Sequence, residues 1–236
     1  MDELRRTART AGMLYLLLAI TAPIGLIYVP GQLFVPGDAA ATAQRVAASG
    51  GLLRLGIASE LFHQVLGIFL VLVLFRLFRA VDERNAMRMV ILSLLPVPIV
   101  FLTVLGEVAA LILVSGAGWL SAFDARQLDA LTYLSLRLHG QGIVVASIFW
   151  GLWLFLFGIC AMRSGFVPRA LGILLMVAGT AYVASAATTL LLPQYRQAVG
   201  QVAMALEVGE LPIIFWLLHR GMRARPSVAP TVAAAG

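Results

Sequence analysis

Residues 51–114 read GLLRLGIASELFHQVLGIFLVLVLFRLFRAVDERNAMRMVILSLLPVPIVFLTVLGEVAALILV. Two apolar runs, 52–75 and 89–114, flank a short segment holding Arg76, Arg79, Asp82, Glu83, Arg84 and Arg88. Each run exceeds the ~20 residues that a helix needs to cross about 30 Å of hydrocarbon. The charged segment cannot rest in hydrocarbon. The stretch therefore predicts two membrane-spanning helices joined by a polar turn.

Working outward, comparable runs occupy 11–29, 133–161, 169–192 and 199–219. The chain has 236 residues, 61% hydrophobic and 12% charged, against about 45–50% and about 25% in an ordinary globular domain. A soluble fold of this length cannot hide that surplus, because its surface needs polar cover. The fold class expected is all-α, a polytopic membrane bundle of six transmembrane helices. One domain spans 1–225, and the tail 226–236 (PSVAPTVAAAG) is expected to be disordered. The first run follows MDELRRTART and outlasts the roughly 7–15 apolar residues of a secretory signal, so it reads as a retained helix.

The net charge is +6, yet nucleic acid is excluded as a partner, because the arginines lie in short runs between apolar spans rather than along one stripe. All 17 basic residues are Arg, which points to a GC-rich bacterial genome. With the N-terminus inside, the cytoplasmic segments hold Arg5, Arg6, Arg9, Arg76, Arg79, Arg84, Arg88, Arg163, Arg169, Arg220, Arg223 and Arg225, twelve in all, against Arg45, Arg126 and Arg196 outside. That bias predicts a protein of the bacterial inner membrane with both termini cytoplasmic. Tyr28, Trp119, Tyr133 and Tyr195 fall at the expected outer boundary, where amphipathic rings settle. Asp38 and Asp124 each begin a candidate short outer helix as an N-cap. Pro23, Pro96, Pro98 and Pro212 interrupt three spans and free carbonyls one turn earlier. Gly179, Ala181, Ala184 and Ser185 predict close packing of the fifth span. The lone Cys160 permits no intrachain disulfide.

An internal echo joins Arg9-Thr-Ala-Gly-Met-Leu to Arg169-Ala-Leu-Gly-Ile-Leu, and Ile148-Phe-Trp to Ile214-Phe-Trp. It suggests three hairpin repeats about an axis along the membrane normal.

The residues that carry chemistry are those that lipid should reject. Measured from the expected outer boundary, Glu60, Glu107, His139 and Glu207 lie roughly 9–12 Å deep, and His63 and Glu210 about one turn deeper. Each mid-helix carboxylate opposes insertion by about 2.5–3.5 kcal/mol. Glu60, His63 and Gln64 share a face by i, i+3, i+4 spacing, as do Glu207 and Glu210. Arg137 is a candidate charge partner, although His139 points nearly the opposite way on the same helix.

Four carboxylates against Arg54 and Arg137 leave surplus negative charge, to be met by protons, charged histidines or a divalent cation. In the metal reading, Glu60, His63, Glu107, His139, Glu207 and Glu210 are the candidate ligands, and zinc, iron or manganese suits a mixed His/Glu set. Such a centre would hydrolyse a lipid-like or small substrate arriving from the outer leaflet, with Glu60 and Glu107 as catalytic candidates. A proton relay or proton-coupled transporter is the second reading. A polar network that only fixes helix packing, in a structural or interaction protein among membrane lipids, is the third.

The chain also resembles a bacterial multi-pass membrane family, domain of unknown function 4386. The resemblance rests on RTAGMLYLLLAITAPIGLIYVP (9–30), VPGDAAATA (35–43), RLGIASEL (54–61), LHGQGIVVASIFWGLWLF (138–155) and RSGFVPRALGILLMVAG (163–179). It implies topology and carries no activity, ligand or site residue with it.

Overall fold

The computed structural model describes residues 2–219. Arg220, Arg223, Arg225 and the tail 226–236 lie outside the described residues, which form helices and no strand.

Helix α1 (Asp2–Pro23) runs into a π-helical turn, Ile24–Tyr28, and then into α2 (Val29–Leu33). Pro23 has no amide hydrogen to return to the carbonyl one turn back, and the wider π geometry begins directly after it. Gly37, at φ +83, turns the chain in a left-handed conformation that costs glycine nothing. Asp38 then caps α3 (Ala39–Ala48), its carboxylate accepting the Ala41 N–H at 2.9 Å.

Helix α4 (Gly50–Leu94) is two limbs broken at Asp82, which sits at φ −155, ψ 82. The Asp82 carboxylate accepts the Asn85 backbone N–H at 3.1 Å and its side-chain amide at 2.8 Å, so it caps the second limb. Pro96 opens α5 (Pro96–Leu113), where a missing amide hydrogen costs little. Helix α6 (Ala125–Arg163) starts on a reciprocal capping box between Asp124 and Gln127. The second expected outer helix is therefore not separate: Asp124 begins a helix that continues straight into the membrane. Helix α7 covers Arg169–Leu191. Helix α8 (Arg196–Glu207) passes through a 3₁₀ turn, Val208–Glu210, into α9 (Leu211–His219).

Five stretches are long and apolar enough to cross a membrane: Glu3–Leu33, Gly50–Leu113, Ala125–Arg163, Arg169–Leu191 and Pro193–His219. The second has 64 residues, about three bilayer cores if straight. It is not straight. Glu60 precedes Asp82 and Glu107 follows it, yet both reach His139, so the chain reverses at Asp82 and crosses twice. The described residues thus make six crossings, an all-α polytopic membrane bundle. Its outer wall is apolar: Ile20, Phe69, Leu102, Leu191 and Phe215 are all exposed, as lipid contact demands.

Inside, the apolar packing divides into layers. At the end that carries Asp82, Leu70, Leu74, Phe78, Met89, Leu154 and Phe157 form the largest cluster. The Arg163 guanidinium pairs with Asp82 there and ties the turn to the end of α6. At the end that carries α3, Val29, Leu33, Val46, Leu53 and Ala110 form a second cluster. Between them, Val100, Val104 and Ala146 form a third. A Cβ on Gly151 or Gly179 would strike the backbone carbonyl of the other, and the same holds for Gly158 and Gly172. These pairs let α6 and α7 touch backbone to backbone, the close packing expected of small residues in the fifth span.

Candidate functional site

The site lies between the second and third apolar layers, where α4, α5 and α6 meet. Glu60 is 3% exposed, Glu107 2% and His139 6%. Each is placed by a neighbouring glycine or short polar residue. A Cβ on Gly25, within the π turn, would lie 2.6 Å from Glu60 Cγ, so the Glu60 stem occupies room that only glycine leaves. The Ser59 hydroxyl donates to the Thr21 carbonyl at 2.9 Å and holds α4 against α1. A Cβ on Gly106 would lie 2.6 Å from the Ser135 carbonyl oxygen, and one on Gly142 would collide with the Thr103 methyl. Both glycines bring α5 and α6 together at the level of His139.

That approach fixes the histidine. His139 Nδ1 lies 3.2 Å from the Thr103 carbonyl oxygen. A carbonyl only accepts, so Nδ1 carries the proton and Nε2 is turned toward the carboxylates. Nε2 lies 3.3 Å from Glu60 Oε1 and 3.8 Å from Glu107 Oε1. Neither contact is an aligned hydrogen bond: both oxygens of Glu60 and Oε2 of Glu107 are buried without a hydrogen-bond partner. Buried carboxylate oxygens left in that condition cost several times what a satisfied pair does. One ligand atom from each of the three residues lies within 4.8 Å of the other two. The edge of a tetrahedron around a cation with bonds of about 2.1 Å is about 3.4 Å, close to the two distances from Nε2.

The six residues expected to share one pocket do not. His63 turns away from the three-residue cluster, its Nδ1 3.4 Å from Thr21 Oγ1 and its ring edge-on to Trp150. Glu60 and His63 share a face, but one turn of helix separates the neighbours they meet. Glu210 belongs to a different cluster: the Tyr15 hydroxyl donates to Oε2 at 2.7 Å and the Tyr182 hydroxyl to Oε1 at 3.1 Å. The reason lies in packing. The last crossing lies against α7 and α1, so its acids meet tyrosines on those helices rather than α4 and α5. Glu207 is half-buried and lies on the Glu210 side, near enough to Glu210 and Tyr182 to interact with both electrostatically. Arg137 is exposed on the flank of α6 and pairs with no acid. It is two residues from His139, so when the histidine faces inward the arginine faces out, and it cannot serve as the charge partner. Arg54 is likewise exposed, as a side chain near a boundary that can reach for water.

Sequence reasoning passed over Tyr15, Tyr182, Thr103 and Gly25. The tyrosines sit among apolar residues at core spacing, and a backbone carbonyl leaves no signal. Pro23, two residues before Gly25, was the available hint of irregular backbone.

Fold and site together define a polytopic helical membrane protein with two carboxylates and an imidazole buried at the junction of three of its helices. Residues 10–221 match the family described as Domain of unknown function (DUF4386), and the chain belongs to that family. An uncharacterized protein of Archaeoglobus fulgidus is 32% identical over 76 residues, 32% of this chain and 44% of that protein. The chain thus spans less than half the length of that relative. No solved structure matches it.

Proposed function

We propose that Glu60, Glu107 and His139 hold a divalent cation within the membrane and that the centre performs hydrolysis. The observation that carries the reading is the set of three buried carboxylate oxygens without hydrogen bonds around a histidine nitrogen. With Nδ1–H committed to Thr103, Nε2 either carries a second proton or offers a lone pair to two acids. A cation between them satisfies all three residues at once. Donation of the other ring N–H to a backbone carbonyl is the usual support of a metal-bound histidine. One imidazole and two carboxylates suit zinc, iron or manganese.

Three protein ligands would leave a coordination position free, and a cation held there would supply activation of water. A carboxylate oxygen of Glu60 or Glu107 not used on the cation would take the proton of that water. The water oxygen bonds to the substrate carbonyl carbon, the bond to the leaving oxygen breaks, and the proton passes to that oxygen. Apolar layers adjoin the cluster toward both ends of the bundle, which supports a closed centre over a path through the membrane.

Elemental analysis of the detergent-purified full chain tests the proposal. About one equivalent of metal is expected, with a melting temperature that a chelator lowers and added metal restores. Occupancy should fall as pH falls, because protons compete for the ligands. A chain free of stoichiometric metal, with a melting curve indifferent to chelator, zinc, iron and manganese, would exclude the site.

The twelve-to-three arginine distribution supports a cytoplasmic location for the Asp82 turn. Labelling of single cysteines in intact cells should reach position 40 and not position 84; the reverse pattern inverts the topology.

A further inference from the structure

We infer that the ligand of this centre is an uncharged long-chain ester bearing a free hydroxyl, of the diacylglycerol class, which enters sideways from the bilayer between α1 and α4. The inference rests on the metal reading for its chemistry and on a separate feature, a cleft, for its route.

Thr21, Ala22 and Leu26 form one wall of that cleft, and Glu60, His63 and Gln64 the other. The apolar layers close the site toward both ends of the bundle, but here the wall is partly open. Thr21, Ala22, Leu26 and His63 are half-buried on the bundle flank. Ile20, Ile27 and Phe62 beside them are exposed, so the mouth faces hydrocarbon rather than water. A charged molecule would have to shed its hydration before reaching that mouth. A neutral one with an acyl chain is already dissolved in the surrounding phase.

The lining supplies specific partners for such a molecule. Gln64 is 5% exposed, lines the cleft and has no hydrogen-bond partner among the described residues. Its amide can donate to an ester carbonyl. The Thr21 hydroxyl donates to the Leu17 carbonyl at 2.9 Å, so toward His63 its oxygen accepts. His63 Nδ1 therefore holds the ring proton, and Nε2 remains to accept from a hydroxyl. One carbonyl and one hydroxyl without charge match that pair, and they place the ester beside Glu60.

As it stands the cleft does not admit even a water molecule, so entry requires a wall to move. The α1 wall contains Pro23 and adjoins the π turn, where the regular hydrogen-bond ladder is already interrupted.

The test uses the full chain in phosphatidylcholine vesicles containing a diacylglycerol with a diazirine next to one ester carbon. Irradiation followed by residue-level peptide mapping should place label on the cleft residues Glu60, His63 and Gln64. Excess unlabelled diacylglycerol should suppress that label. Ala22→Trp and Leu26→Trp should each reduce it about five-fold or more, equivalent to about 1 kcal/mol of binding. Ile173→Trp, on the exposed face of α7, should leave it unchanged. Label confined to outward residues such as Ile20 and Phe62, or insensitive to competitor and to both tryptophans, overturns the inference. Equal labelling by a phosphatidic acid carrying the same diazirine overturns the claim that the ligand is uncharged. Metal measured on the same samples separates the two proposals: label in the cleft without metal removes the metal reading and keeps the cleft, and metal without label does the opposite.

Discussion

Two acids in this bundle are treated in opposite ways. Glu210 receives a hydroxyl on each carboxylate oxygen, from Tyr15 on α1 and Tyr182 on α7. Glu60 and Glu107 are more deeply enclosed and leave three of their four oxygens without a hydrogen bond, although Ser59, Thr21 and Gln64 lie close by. The first arrangement is complete: it holds three helices together and asks for nothing more. The second leaves those oxygens unmatched, and on that the proposed cation rests. The same side-chain chemistry thus serves cohesion in one place and stands unsatisfied in the other. The difference lies in what the neighbouring helices present, tyrosine hydroxyls in one case and a single imidazole nitrogen in the other.

The largest expected effect separates the two clusters by metal content. His139→Ala or Glu60→Gln should weaken metal binding ~100-fold or more, read by elemental analysis and competition with a chelator. Glu210→Gln should leave it unaltered; a loss of metal in that variant would merge the two clusters into one functional unit. The second effect is on stability alone. Tyr182→Phe or Tyr15→Phe removes one donor from a buried carboxylate and should cost about 1–3 kcal/mol in unfolding, with metal retained. Third, Gly25→Ala crowds the Glu60 stem and should lower metal affinity about ten-fold, with a smaller loss of melting temperature. A variant with native affinity would show that the π turn does not position Glu60.

The smallest effect lies at the far end of the bundle. Hydrogen bonds from the Asn85 N–H and its side-chain amide, followed by the Arg163 guanidinium, hold the Asp82 carboxyl below the ordinary aspartate range. A depressed folded value means that Asp82 stabilises the turn above the unfolded value of about 3.9 and loses that contribution as pH falls through the folded value. Asp82→Asn should flatten this acid limb of the melting curve without touching the metal. An unchanged limb would assign it to other carboxylates.

The crossings were legible because insertion depends on one coordinate, length of apolar chain, bordered by arginine. Depth is also a single coordinate, and it grouped Glu60, Glu107 and His139 correctly. It grouped Glu207 and Glu210 with them wrongly, and it counted His63 among the clustered ligands where His63 only shares a cleft with Glu60, because equal depth says nothing of which neighbouring helix a face meets. Shared spacing had the same limit: Glu60 and His63 lie on one face of α4, yet one meets His139 and the other Thr21 and Trp150. The outward direction of Arg137 followed from its two-residue offset from His139, once either was known to face inward. Tyr15 and Tyr182 gave no warning, since an aromatic ring in an apolar run packs like any core residue until its hydroxyl finds an acid. The glycine at position 25 matters only through the backbone it sits in, which no composition reveals.

The reversal at Asp82 also sets an order of events during biosynthesis. A ribosome delivers Glu60, then Glu107, and only later the helix that bears His139. The two acids therefore enter the bilayer as a hairpin before the imidazole that will sit between them has been made. Helix α6, the fourth crossing, supplies His139 only after that hairpin has been made. Assembly of the cluster thus waits for the fourth of six crossings, and a chain stopped short of α6 would hold a hairpin with both acids and without His139.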